Sequence, residues 1–348
     1  MEKLFFSPRE YFKTADKDLY PEKINLTCKL QNSQARQADV DIIIGSHNLA
    51  SITNLTIQSY LRYETDLKIH IIVVESSGKD TVFRDIIDHP QVSKVLLDNI
   101  SIKGKVHGYG SYGLALSNAI GIQLSRSPLI FFSHSDMVAC KPQFISYLKS
   151  KLGPARAASF TQRHIIPFVG CMLVTRQLLE ERTIDWLPMD ENPYLKETGL
   201  LPLGEMVTHL NHIDCGEQYI YYELAQHRPI YISASRGGST DWWKDPMGYY
   251  DLAPEALTAW VKQTGASLNF GHLNCTKEKF KQKHLDLINA GQEGFWVFQK
   301  PKWWRYCFDD SGDLIFIHHG RGSTEREVKR WVRFGLKNFS QPLASANL

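Results

Sequence analysis

The chain has 348 residues, of which 43% are hydrophobic and 22% charged, a composition ordinary for a globular protein with a sizeable core. Lys and Arg number 40 against 37 Asp and Glu, so the net charge of +3 gives no reason to expect nucleic-acid binding. The six cysteines have no CxxC spacing, which disfavours a zinc finger or a disulfide framework and predicts reduced thiols.

The N-terminus has no long apolar segment of the kind found in secretory signals, and no apolar run reaches about 18 residues. These features predict a cytoplasmic protein without a membrane span. Association with the inner face of a membrane stays open, because a few exposed aromatic and basic residues suffice for it.

Strands and helices alternate from residue 39 onward, after a polar stretch over 1–38 that predicts an irregular extension or a short helical arm. Apolar runs predict strands at 40–45, 69–75, 92–97 and 129–133. Helical periodicity predicts helices at 49–62, 81–88 and 112–125. The alternation indicates parallel βαβ units and therefore an α/β fold with a mainly parallel, twisted sheet and helices on both faces.

The alternation is less regular after residue 136. The pattern predicts helices at 142–151, 176–182 and 216–227, strands at 170–174, 229–233 and 313–317, and a loop or lid over 185–211. We therefore predict three parts: an N-terminal extension over 1–38, a core over 39–233 and a C-terminal elaboration over 234–348.

Three predicted strands deliver polar residues at their carboxyl ends, namely 45–48 (GSHN), 75–78 (ESSG) and 133–136 (SHSD). In an open parallel sheet, ligands bind in the crevice outside the carboxyl ends of the strands. The three clusters together therefore predict one binding site at that edge of the sheet.

The order of these motifs resembles glycosyltransferase family 2, within the GT-A nucleotide-sugar glycosyltransferases. Residues 41–48 (DIIIGSHN), 73–78 (VVESSG) and 117–136 match the family's motif series, and the resemblance covers about 40–140 best. It continues weakly to about 233, with one more match near 318. The resemblance implies a GT-A fold with a C-terminal elaboration and a nucleoside diphosphate sugar as donor substrate.

The resemblance assigns seven residues to the donor site: Ser46, His47, Asn48, Glu75, Asn118, Ser135 and Asp136. In the family, the positions at 46–48 and 75 cradle the base and ribose. A carboxylate such as Glu75 can accept the imide N–H of a pyrimidine. The alternatives are ordinary turn chemistry for Ser46 and Asn48 and a solvated loop acid for Glu75.

A divalent cation, Mn²⁺ or Mg²⁺, is implied by the resemblance of 134–136 to the family's DxD motif. The first acid is replaced by His134, so the resemblance carries the metal role to Asp136 and leaves metal independence open. His318 or His319 could supply another ligand, and at most one of the two is expected to do so because adjacent strand residues point to opposite faces. Alternatively, Asp136 caps a turn and the histidines make ordinary hydrogen bonds.

The catalytic base implied by the resemblance is Asp214, with Glu217 as substitute. In inverting members, an acid at about this point takes the proton from the acceptor hydroxyl. The same spacing also suits a helix capping box, and both interpretations can hold together.

The sequence thus predicts a glycosyltransferase that moves a sugar to the hydroxyl of a glycan or glycoconjugate acceptor, with inversion and metal assistance, in polysaccharide or glycoconjugate biosynthesis. One alternative keeps the donor site but changes the chemistry, to retention of configuration or to nucleotidyl transfer. Another is a non-catalytic nucleotide-sugar binding module of the same fold.

Overall fold

The computed structural model describes residues 1–31, 37–98, 100, 109–163, 166–181, 185–189, 214–226, 228–233, 235–237, 268–270, 305–309 and 314–318. The strands in these ranges are β1 (Glu2–Phe6), β2 (Ile24–Lys29), β3 (Val40–Ser46), β4 (Ile69–Glu75), β5 (Val92–Asp98), β6 (Leu129–His134), β7 (Met137–Ala139), β8 (Ala157–Arg163), β9 (Ile166–Thr175), β10 (Ile230–Ser233), β11 (Ser235–Gly237), β12 (Leu268–Phe270), β13 (Arg305–Phe308) and β14 (Leu314–His318). The α-helices are α1 (Pro8–Tyr11), α2 (Ala50–Tyr63), α3 (Asp80–Asp85), α4 (Tyr109–Leu124), α5 (Phe144–Leu152), α6 (Arg176–Glu181) and α7 (Gln218–Ala225). A short 3-10 helix covers Ala15–Leu19.

A ten-stranded sheet in the order β1-β2-β5-β4-β3-β6-β9-β8-β10-β12 forms the centre of the described structure. Strands β5, β4, β3 and β6 run parallel, as do β8, β10 and β12. Strand β9 is antiparallel to both β6 and β8, which brings the second parallel group into the direction of the first. The predicted α/β class with a mainly parallel sheet is confirmed.

The strand order reverses at β3, because β4 and β5 extend the sheet on one side of it and β6 on the other. Such a reversal leaves a crevice at the carboxyl ends of the two diverging strands, where doubly wound proteins bind their ligands. The crevice here lies between the ends of β3 and β6.

Two buried clusters cover the two faces of this sheet, as alternating side chains of a strand require. On one face, α4 and α7 pack on residues such as Ile43 and Phe132. On the other face, α2 and α5 pack on residues such as Ile44 and Phe131. The predicted placement of helices on both faces is confirmed.

A smaller sheet in the order β11-β13-β14-β7 begins directly beyond the end of β6. Strand β7 follows β6 after a turn at 135–136, and it pairs antiparallel with β14 so that Met137 faces His318. A strand from near the C-terminus is thereby brought beside the end of β6.

The helices and strands predicted between residues 40 and 233 and at 313–317 agree in place and type with described elements, whereas β1, β2, β7, β8, β11, β12 and β13 were not predicted. Most of the predicted loop over 185–211 and most of the predicted C-terminal elaboration lie outside the described residues. Two strands, β1 and β2, form within 1–38 and lengthen the sheet beside β5, where no strand was predicted. In β2, the apolar Ile24, Leu26 and Cys28 are buried at every second position, and the intervening Asn25 and Thr27 are polar; the charged residues around this short strand obscure the pattern. Among the described helices, none has the length and apolar content needed to cross a membrane.

Candidate metal centre and active site

The polar clusters at the ends of β3 and β4 form one hydrogen-bonded unit around Glu75. The Glu75 side chain is fully buried, and its Oε2 accepts a hydrogen bond of 2.7 Å from the Ser46 hydroxyl. Its Oε1 accepts from the backbone amides of Asn48 at 3.0 Å and Ser77 at 2.8 Å. Glu75 therefore holds together the loops that follow β3 and β4, which lie on the β3 side of the crevice between β3 and β6.

Residues 47 and 48 are exposed above this unit. His47 Nδ1 lies 3.0 Å from the Ser76 hydroxyl oxygen. Asn48 has a φ of 58°, a left-handed conformation that Asn tolerates better than most residues, and its side-chain oxygen accepts from Lys79 Nζ at 3.1 Å. The loops after β3 and β4 thus bring together an imidazole, an amide and an ammonium group at the carboxyl edge of the sheet.

Three potential metal ligands converge at the end of β6: His134, Asp136 and His318. His134 Nδ1 lies 3.1 Å from His318 Nε2, which in turn lies 3.1 Å from Asp136 Oδ1. All three ligand atoms lie within 4.8 Å of one another. Ligand atoms on one divalent ion, at bond lengths of about 2.0–2.2 Å, lie about 3–3.5 Å apart. The donor set therefore fits a divalent cation, and two neutral imidazoles with one carboxylate are an established type of metal site.

The position of His134 depends on Gly170 in the neighbouring strand β9. A Cβ atom on Gly170 would lie 2.5 Å from Cδ2 and 2.6 Å from Nε2 of the His134 ring. One edge of the imidazole therefore packs directly on the Gly170 backbone, and the other edge turns Nδ1 toward His318.

Helix α2 supports the turn that carries Asp136. The Thr56 hydroxyl donates to the Ser135 carbonyl at 2.7 Å, and the buried Tyr60 hydroxyl lies 2.6 Å from the Ser133 hydroxyl oxygen. The Ser133 hydroxyl donates to the His134 carbonyl at 2.9 Å. Ser135 therefore contributes its backbone to the anchoring of the turn.

The structure includes His318 in the cluster together with Asp136, whereas His319 lies outside the described residues. His134 was not among the predicted ligands, because the resemblance gave its position to an acid. The residue type alone could have identified His134, because an imidazole two positions before Asp136 can replace a carboxylate as a metal donor.

Asp214 and Glu217 form the start of α7 with part of the geometry of a capping box. The Asp214 backbone amide donates to Glu217 Oε2 at 3.1 Å, while Asp214 Oδ1 accepts from the Cys215 amide at 2.8 Å. Burial, reinforced by the neighbouring Asp214 carboxylate, holds the pKa of Glu217 well above its ordinary value. Glu217 thus favours its neutral form, whereas Asp214 is partly exposed.

A chain of aromatic contacts links the first turn of α7 to β6. Trp186 donates from Nε1 to the Tyr219 hydroxyl at 3.1 Å, and its ring centroid lies 4.5 Å from that of Phe132. Strand β10 follows α7 closely and runs in the same direction as β6. The end of α7 therefore lies toward the amino end of β10, and its start is directed toward the carboxyl edge of the sheet.

Asn118, the remaining predicted donor-site residue, lies on α4 with 1% of its surface exposed. Its Oδ1 is buried and has no hydrogen-bond partner within the described structure. Asn118 is therefore buried between α4 and the sheet. Its place in the donor site stays a prediction.

Comparisons with known proteins give structural matches alone: no family model matches the chain, and no curated sequence does. Mannosyltransferase PcManGT from Pyrobaculum calidifontis, in complex with GDP-Man and Mn²⁺, matches with 16% identity and a TM-score of 0.32, over 41% of this chain and 46% of that one. S. aureus TarS 1–349, in complex with UDP, matches with 11% identity and a TM-score of 0.32, over 42% of this chain and 50% of that one. The glycosyltransferase GlyE from Streptococcus pneumoniae TIGR4 matches with 10% identity and a TM-score of 0.38, over 87% of this chain and 61% of that one.

The chain thus spans about half the length of the first two structures that it matches. These matches are GT-A-type glycosyltransferases, the class that the motif series resembles. Because the identities and TM-scores are low, a functional proposal has to be argued from the structure of this chain. That structure is an α/β fold with a candidate divalent-metal centre at the carboxyl edge of the sheet, where the strand order reverses.

Proposed function

We propose that the protein is a metal-assisted glycosyltransferase that moves a sugar from a nucleoside diphosphate sugar to an acceptor hydroxyl with inversion. The observation that carries the proposal is the convergence of His134, Asp136 and His318 at the end of β6, beside the reversal of strand order at β3. A ligand in that crevice would meet the loops held by Glu75 on one side and the three-ligand cluster on the other.

The residues of the crevice divide into two groups by chemistry. The loops at 46–48 and 75–79 offer amide, hydroxyl, imidazole and ammonium groups that suit a base and ribose. The cluster of His134, Asp136 and His318 would hold the cation, which when bound neutralises the charge that builds on a nucleoside diphosphate leaving group. We further propose a glycan or glycoconjugate as acceptor, in biosynthesis at the cytoplasmic face of a membrane.

Asp214 is the better candidate for the base that takes the proton from the acceptor hydroxyl. A general base must be ionised and within reach of its substrate. Asp214 is partly exposed at the start of α7, whereas Glu217 is buried, favours the neutral acid and caps the helix.

The binding half of the proposal is tested by thermal unfolding of the full chain with nucleoside diphosphates and nucleotide sugars, with Mn²⁺ or with chelator. A ligand present at a hundred times its dissociation constant stabilises the folded state by about 2.7 kcal/mol. We expect one nucleotide class to raise the unfolding temperature, and more so with metal. If no nucleotide shifts the transition under any metal condition, the proposed function is wrong.

The catalytic half is tested by Asp214→Asn, with Glu217→Gln as the matched variant. Asn keeps an oxygen that can accept from the Cys215 amide, so we expect Asp214→Asn to fold, to bind nucleotide and to lose about 10²–10⁴-fold in kcat. Glu217→Gln is expected to keep kcat within a few-fold, because a neutral carboxyl and an amide are alike in shape and polarity.

The readouts are nucleoside diphosphate release and the configuration of the glycoside product. Nucleotide binding without turnover in the wild-type protein would favour a binding module of the same fold. Full activity of Asp214→Asn would exclude Asp214 as the base.

A further inference from the structure

The ligand cluster differs in its chemistry from a site built on carboxylates. Two of its three donors are imidazole nitrogens, Nδ1 of His134 and Nε2 of His318, and one is a carboxylate oxygen of Asp136. Imidazole is a borderline ligand that suits ions such as Zn²⁺, Co²⁺ and Fe²⁺, whereas Mg²⁺ and Ca²⁺ prefer oxygen donors.

We propose that His134 is a metal ligand and that the site selects late first-row transition ions, with an affinity order of Zn²⁺ and Co²⁺ above Mn²⁺ and with Mg²⁺ far weaker. This inference deepens the proposed function and rests on it for the role of the ion. The order follows from the rise in affinity of nitrogen-containing sites from Mn²⁺ to the later divalent ions.

The cluster is held in place from three separate elements, as a metal site requires. His134 ends β6 and rests on Gly170, whose missing side chain makes room for the ring. Asp136 sits in the turn that Thr56 anchors through the Ser135 carbonyl. His318 ends β14, in register with Met137.

The accessibility of the cluster suits an ion that also meets an anionic substrate. The Asp136 and His318 side chains are 16% and 11% exposed, so an ion can enter while most of its surroundings are protein. Three protein donors leave coordination positions open, as in catalytic metal sites. With a single carboxylate, the bound divalent ion keeps a net charge of about +1 at the site, which favours a diphosphate more than a site with two carboxylates does.

The test is metal binding by the tag-free, chelator-treated full chain without nucleotide. Co²⁺ is followed by its visible absorption, and Zn²⁺, Mn²⁺ and Mg²⁺ by titration calorimetry. We expect one equivalent of Co²⁺ or Zn²⁺ to bind, and Mg²⁺ to bind at least about 100-fold more weakly.

Three variants separate His134 from unspecific binding. His134→Ala is expected to lose about 10–100-fold or more in Co²⁺ affinity. His134→Asp places a carboxylate at the same position and is expected to keep a metal site while lowering the ratio of Co²⁺ to Mg²⁺ affinity at least about tenfold. His89→Ala removes a partly buried imidazole that precedes β5, outside the cluster, and is expected to bind Co²⁺ like the wild type.

Mg²⁺ binding as tight as Co²⁺ binding, or a His134→Ala variant with wild-type Co²⁺ affinity, would overturn the inference. Because these titrations contain no nucleotide, their outcome is distinct from that of the nucleotide panel. Selective Co²⁺ binding through His134 without any nucleotide binding would leave the metal inference standing and reject the proposed function.

Discussion

Gly170 is the residue whose missing side chain decides where the His134 imidazole lies. A Cβ atom there would come within 2.5 Å of the ring, closer than any unstrained contact between heavy atoms. Glycine in a strand interior destabilises the folded state by about 0.5–1 kcal/mol relative to alanine. The close packing of the His134 ring explains why glycine nevertheless stands at this position.

We predict that Gly170→Ala displaces the His134 ring, lowers stability by about 1–3 kcal/mol and weakens Co²⁺ binding. Denaturant unfolding and the Co²⁺ titration measure the two effects. The matched control is Gly113→Ala on α4, where a Cβ atom meets nothing within 4 Å. This control is expected to be neutral or slightly stabilising. Wild-type Co²⁺ affinity in Gly170→Ala would show that the ring does not need this space.

Helix α2 acts at the scale of an element, since it holds the turn between β6 and β7 from one side. Thr56 donates to the Ser135 carbonyl, and the Ser59 hydroxyl accepts from the Ala139 amide at 3.0 Å. The Tyr60 hydroxyl contacts Ser133 within the same helix face. Three hydroxyl groups on one face of α2 thus contact the end of β6, the turn and the end of β7.

Thr56→Val is predicted to keep the shape of the side chain, remove the hydrogen bond to Ser135 and cost about 1–3 kcal/mol, because this bond is partly buried and the Ser135 carbonyl loses its donor. As a positioning residue, Thr56 should also affect metal affinity, and we expect weaker Mn²⁺ and Co²⁺ binding in calorimetry. Thr65→Val is the control, since Thr65 is exposed and, within the described part of the chain, its hydroxyl contacts only Asp66 Oδ1 at 3.4 Å. A stability loss with unchanged metal affinity would limit Thr56 to a structural role.

At the scale of the whole molecule, the opposite edge of the sheet is held by a buried network at the amino ends of β3, β4 and β5. Asp41 Oδ1 lies 2.8 Å from His70 Nδ1, and His70 Nε2 lies 2.8 Å from the Ser93 hydroxyl oxygen. Asp41 Oδ2 also accepts from the amides of Arg126 at 2.6 Å and Ser127 at 2.7 Å. The hydrogen-bond order Ser–His–Asp is that of a nucleophilic triad, but all three side chains are buried, and the network joins three neighbouring strands.

This network predicts a pH dependence of stability. Burial raises the pKa of Asp41, but the hydrogen bonds from His70 and from the amides of Ser127 and Arg126 outweigh it and lower the pKa below its ordinary value. The stabilisation is therefore complete above the unfolded pKa of about 3.9 and is lost as the pH falls through the lower, folded value.

Asp41→Asn is expected to lose about 3 kcal/mol or more at neutral pH and to show a shallower acid dependence below about pH 4. Urea unfolding at several pH values measures both effects. Asp39→Asn is the control, because Asp39 is exposed and its carboxylate accepts a hydrogen bond from the Lys68 backbone amide at 2.9 Å. Equal pH slopes for the wild type and Asp41→Asn would contradict the assignment.

The alternation of strands and helices from β3 to β6, and the polar residues at the carboxyl ends of these strands, could be predicted from the residue pattern. Hydrophobic periodicity is a local property, so the strands that are buried on both faces, such as 40–46 and 69–75, can be read without knowledge of their neighbours. The same locality explains why Asp136 and His318 could be proposed separately as metal ligands from their motifs.

Which residues come into contact could be learned from the folded chain but not from the residue pattern. The pairing of β14 with β7 places His318 beside Asp136 although 181 positions separate them in the chain, and the space above Gly170 adds His134 to the cluster. Burial likewise distinguishes Glu217, whose pKa is raised, from the partly exposed Asp214, although the two look alike in sequence as acids three residues apart. Contacts between distant segments and the loss of water around a group depend on packing, and no local pattern of residues encodes either one.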